Sequence, residues 1–65
     1  MIQLTKLNGL QFWVNPHLIE TIEMTPDTML IMTSGTHVIV RETVQEVITG
    51  IIEYRKRLGI NRQEE

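Results

Sequence analysis

Two histidines and three neighbouring carboxylates are the residues of this chain whose types could do chemistry. His17 and His37 stand twenty residues apart, in segments that read as different elements. A shared metal site needs convergent ligands with a fixed geometry, and two separated histidines without a third ligand do not define one. Glu20, Glu23 and Asp27 lie close in sequence. Paired carboxylates can work as acid and base when a pocket pushes their pKa values apart. Here they flank a turn with no run of pocket-forming residues around it, so they read as a solvated strand edge with a turn-forming Asp27. The chain has no cysteine and one serine, Ser34, beside Gly35. The four glycines are dispersed, so no glycine-rich phosphate loop is present. No catalytic residue, cofactor or metal is therefore expected.

The elements that position these residues follow from hydrophobic period. Ile2–Lys6 and Leu10–Val14 form a hairpin around Asn8-Gly9. A two-residue turn would scatter apolar side chains over both faces. A three-residue loop, Leu7-Asn8-Gly9, with Gly9 left-handed, pairs Leu4 with Phe12 and Ile2 with Val14. That register gathers Ile2, Leu4, Leu10, Phe12 and Val14 on one face and leaves Gln3, Thr5, Gln11 and Trp13 on the other. Register follows the buried face, which selects the three-residue loop. Asn15-Pro16 ends the second strand, and His17-Leu18-Ile19 can make one helical turn. A third strand, Glu20–Met24, sets Ile22 and Met24 against Thr21 and Glu23. Thr25-Pro26-Asp27-Thr28 is a turn.

The next hairpin, Thr28–Thr33 with Thr36–Val40, is apolar on both faces. Leu30 and Met32 oppose Met29 and Ile31, while Val38 and Val40 oppose Ile39. A sheet of that kind has both faces covered. A helix can take one face. The other needs barrel closure within the chain or a neighbouring subunit, so a homo-oligomer is one expectation.

Thr43-Val44-Gln45-Glu46 has the form of a capping box. Val44, Val47, Ile48, Ile51, Ile52 and Leu58 recur at helical spacing, and Gly59 suits the residue beyond the helix. The spacing predicts a helix over Val44–Leu58. Its other face mixes Gln45, Glu46, Glu53, Lys56 and Arg57, which suits core packing better than the Lys/Arg-rich face of a membrane-surface helix. Arg55, Lys56, Arg57 and Arg62 form a small basic patch, which is more simply a helix C-terminus complementing its dipole than a phosphate reader.

The fold class is thus α+β: a small antiparallel β-meander of about five strands, open or barrel-like, with one C-terminal amphipathic helix. Sixty-five residues allow a single domain, assigned to 1–59, with 60–65 expected to be a flexible tail. Without cysteines it has no disulfide to supplement a small core, and association commonly fills that gap. Six Lys or Arg against eight Asp or Glu give a net charge of −2, which lacks the basic footprint of a nucleic-acid binder. No apolar run approaches the roughly 20 residues of a membrane span. The segment Met1–Lys6 lacks the features of a signal peptide, so a cytoplasmic location is expected. Trp13 and Tyr54, amphipathic aromatics of the type enriched at interfaces, are candidates for partner contact.

Several segments together resemble the small flagellar protein family FlbD, also called SwrD. They are Ile2-Gln3-Leu4-Thr5-Lys6-Leu7-Asn8-Gly9, Asn15-Pro16, Ile19-Glu20-Thr21-Ile22-Glu23, Thr25-Pro26-Asp27-Thr28, the strand pair around Gly35, Glu42, and the Val44–Tyr54 helix. The resemblance covers about Met1 to Leu58. It concerns the motility family and not the unrelated transcriptional regulator that shares the FlbD name. It implies a non-enzymatic cytoplasmic accessory of the flagellar motor, supporting torque for swarming through the stator units. It carries over no catalytic or ligand residue. Asn8, Gly9, Pro26, Asp27 and Gly35 have sufficient explanations as turn formers. Glu20 and Glu23, strand-borne and not demanded by a turn, join Trp13 and Tyr54 as partner-contact candidates. The alternative is a small nucleic-acid-binding or regulatory module controlling flagellar gene expression, which the acidic balance disfavours.

Overall fold

The computed structural model describes residues 1–59; the tail assigned to 60–65 lies outside them. Five strands, β1 (Ile2–Thr5), β2 (Gln11–Val14), β3 (Ile19–Met24), β4 (Thr28–Met32) and β5 (His37–Val40), precede one helix, α1 (Val44–Leu58). A single 3-10 turn, Pro16–Leu18, joins β2 to β3. The strands form two antiparallel sheets, one of order β1-β2 and one of order β3-β4-β5. An isolated bridge between Lys6 and Val40 links them. Among the described residues the strands do not close into a barrel: the end of the first hairpin meets the end of β5 at this bridge, and β1 and β5 remain in separate sheets.

The first hairpin has the register that the buried face demands, with Ile2 opposite Val14 and Leu4 opposite Phe12. Its loop is the three-residue one. The Lys6 N–H donates to the Leu10 carbonyl (2.8 Å), and the Gly9 N–H donates to the Lys6 carbonyl (2.9 Å). Gly9 has φ +92°, a region costly for residues with a Cβ. The second hairpin repeats this geometry. Met32 N–H donates to the Thr36 carbonyl and Gly35 N–H to the Met32 carbonyl, both at 2.8 Å, with Gly35 also at φ +92°. In each loop the side chain before the glycine caps the turn: Asn8 Oδ1 accepts from Leu10 N–H, and Ser34 Oγ accepts from Thr36 N–H.

Leu10 departs from expectation. It lies outside β2 and is 63% exposed, because the pleat that would turn it inward begins only at Gln11. β3 starts at Ile19 and carries an irregularity between Ile19 and Thr21. Met24 shares a face of β3 with Ile22, as expected, but ends the strand beside the turn at 66% exposure.

The core is Ile2, Leu4, Val14, Leu30, Val40 and Val47. Leu30 and Val47 are fully buried, so one helical residue and one central-strand residue fill the middle. Helix α1 packs on β1 and β3. Its capping box forms as the sequence requires: the Glu46 N–H donates to Thr43 Oγ1, and the Thr43 N–H donates to the Glu46 carboxylate. Gly59 ends it in the left-handed region. The buried stripe is narrower than the periodicity implied. Val47 is buried and Ile51 and Tyr54 pack on the core, while Ile48, Ile52 and Leu58 are exposed, because the small sheet cannot reach across the whole apolar arc.

Gly50 sits in the helix with ordinary φ, and a Cβ built there meets only Ile2 Cδ1, at 4.0 Å. That is normal van der Waals contact, so the backbone entropy of glycine is an uncompensated cost. Gly50→Ala is expected to stabilise the protein by about 0.5–1 kcal/mol, seen as a higher urea midpoint with an unchanged slope; a lower midpoint would show that the helix–β1 approach is tighter than this spacing.

Candidate functional site

The four residues Val40-Arg41-Glu42-Thr43 join the parts of the molecule. Val40 is buried and closes β5. The Arg41 N–H donates to the Thr5 carbonyl (2.8 Å), which carries the ladder one step beyond the Lys6–Val40 bridge. The Arg41 guanidinium donates from Nε (3.1 Å) and Nη2 (2.7 Å) to the Leu7 carbonyl. The Glu42 carboxylate turns back to β1: the Thr5 N–H donates to Oε1 and the Thr5 hydroxyl to Oε2, both at 2.9 Å. Thr43 then caps α1. Neighbouring charged residues thus grip neighbouring segments of the first hairpin.

Partial burial works to raise the Glu42 pKa, but hydrogen bonds from the Thr5 N–H, the Thr5 hydroxyl and its own backbone N–H outweigh it. The net result lies below the ordinary carboxylate value.

Beside this junction is an open cleft of about 330 Å³, lined by Leu7, Met24, Pro26, Asp27, Thr28, Val40, Arg41, Glu42 and Thr43. Its lining is mostly apolar, with Asp27, Arg41 and Glu42 as its charged groups. Among the described residues, no group of three or more His, Cys, Asp or Glu is placed to hold a metal, and no helix is long and apolar enough to cross a membrane.

The four partner-contact candidates occupy three separate places. Trp13 stands on the outer face of the β1–β2 hairpin, opposite Gln3 and 62% exposed. Glu20 sits at the irregularity in β3 and Glu23 further along it, opposite Met29; both are exposed. Tyr54 is half-buried on α1, its ring edge-to-face with His17 at 5.9 Å between centroids. His17 is thus engaged with the helix, and His37 opposes Ile31 at the start of β5. Sequence reasoning gave Arg41 and Glu42 no role. The available signal was two charged residues held between a buried strand end and a helix cap, where turn formers would otherwise suffice.

The fold and this junction define a small α+β module: two antiparallel sheets and a capped helix, fastened by side chains from the strand–helix connection. Residues 1–59 match the family model FlbD, described as flagellar and swarming motility proteins, and the chain belongs to that family. No curated protein and no solved structure matches the chain.

The Glu42 link has a testable sign. Because the folded carboxyl titrates below its unfolded value, the link stabilises the fold above that unfolded pKa, and the contribution is lost as pH falls through the lowered folded value. Glu42→Gln keeps one acceptor and loses the charge, and is expected to cost about 1 kcal/mol at neutral pH. Thermal denaturation from pH 7 to 3 should show the two proteins converging as the pH falls; a constant offset across that range would refute the carboxylate's role.

Proposed function

We propose that this protein is a non-enzymatic accessory of the flagellar motor that raises torque for swarming by contact with the stator units on the cytoplasmic side. Membership of the flagellar and swarming motility family over residues 1–59 carries this reading. The molecule's surface agrees with contact as its mode of action. Trp13 offers a large exposed aromatic, and Glu20 and Glu23 offer exposed charge on a strand at the sheet edge. Aromatic anchors ringed by polar groups are the usual energetic centres of protein interfaces.

A clean deletion in the source bacterium tests it. Flagella are expected in normal number, with tethered cells rotating more slowly under load and swarming reduced. Trp13→Ala is expected to reproduce part of the torque loss with the protein still folded. Sparse flagella would favour an assembly or gene-regulatory role instead, and unchanged rotation would reject the motor reading.

A further inference from the structure

Among the described residues, no element covers the outer face of the three-stranded sheet. Paired residues of adjacent strands share a face, and Leu30 and Val40 define the inner one, buried against Val47 of the helix. The opposite side carries two rows across β3, β4 and β5. One row is Glu23, Met29 and Ile39; the other is Thr21, Ile31 and His37. Met29 and Ile31 are half-buried, Ile39 is 40% exposed, and Glu23, Thr21 and His37 are exposed.

We infer that this face packs against the same face of a second copy of the chain. Three features favour a second copy as the occupant. First, β4 is apolar at each of Met29, Leu30, Ile31 and Met32, a pattern of strands covered on both sides, and the helix supplies one cover only. Second, the patch is self-complementary. Glu23 and His37 stand at diagonally opposite corners, with the apolar pair Met29 and Ile31 between them. A two-fold axis through the centre, lying in the plane of the contact, brings each Glu23 over the His37 position of the other copy while apolar residues meet apolar residues. An imidazole N–H can donate to a carboxylate in either protonation state. Third, the neighbouring free edge of β3 is interrupted near Glu20 and carries Glu20 and Glu23. Irregularity and charge discourage edge-to-edge pairing through β3, which favours the face of this sheet over that edge for association.

The patch is small. Three strands ~4.8 Å apart and two rows ~7 Å apart make less than a standard interface, so the dimer is weak. Sedimentation equilibrium of the full chain from about 10 to 500 μM spans the range where such an association shows. The weight-average mass is expected to climb from 7.6 kDa toward twice that value. Ile39→Glu is expected to stay monomeric with an unchanged far-UV circular dichroism spectrum. Because the chain contains no cysteine, position-specific cross-linking gives a second readout that needs no disruptive variant. Met29→Cys, near the axis, should join to its twin with a short bis-maleimide, and Gln45→Cys on the exposed side of the helix should not. A mass of 7.6 kDa throughout the range, or equal cross-linking at both positions, overturns the inference. Association that survives Ile39→Glu with no Met29→Cys product overturns it too, since the contact would then lie elsewhere. None of these outcomes depends on the role in motility.

Discussion

The grip of residues 41 and 42 on residues 5 to 7 is the constraint on which the fold turns. A two-stranded hairpin is marginal on its own in water, and a fifteen-residue helix is little better. The bridge at Lys6 and Val40, the Arg41 N–H on the Thr5 carbonyl, the guanidinium on Leu7 and the carboxylate on Thr5 fix the hairpin against the larger sheet. The next residue, Thr43, begins the helix that covers both. Four consecutive residues therefore set the register of β5, the position of the hairpin and the start of α1. A slip of one residue would turn Val40 outward and Arg41 into the core, so the buried side chain and the charged grip enforce the same register.

This arrangement lets a very small core suffice. Leu30, Val40 and Val47 are the most deeply buried large side chains, and they come from the central strand, the strand beside the junction and the helix. Each element owes its place to the other two, which favours cooperative folding. The polar groups at the centre are satisfied as well: no buried side-chain nitrogen or oxygen among the described residues lacks a hydrogen-bond partner. Stability then rests on packing at a few positions together with the side-chain links at the junction.

How much of this is legible in the sequence depends on the range over which each feature is encoded. The capping box, the left-handed Gly59 and both glycine turns are local, and residue type alone predicts them. The register of the first hairpin is semi-local, and the need for one apolar face decides it. The alternation failed at Leu10 because period tells which side a strand residue faces but not where pleating starts. Periodicity overstates the buried stripe of α1, because it describes the helix and not the width of the sheet beneath it; hence the exposure of Ile48 and Ile52. Arg41 and Glu42 reach partners 34 to 37 residues away, and no pattern in a single chain announces such pairings. Barrel closure stayed open at that level for the same reason, since it depends on how far β1 and β5 remain together.

The two faces of β4 bear on what kind of part this molecule is. With α1 spent on the inner face, the apolar outer face stays available among the described residues, while the exposed β3 edge is broken and acidic. That combination separates accidental association, which free strand edges promote, from specific contact, which needs a shaped surface. It also couples stability to occupancy, because anything that binds only the folded state stabilises it in proportion to its concentration relative to its dissociation constant. A small domain with few buried side chains gains proportionately more from such coupling than a large one. A marginal core and an open apolar face therefore act together: the fold is sturdy enough to present the surface and becomes sturdier where that surface is used.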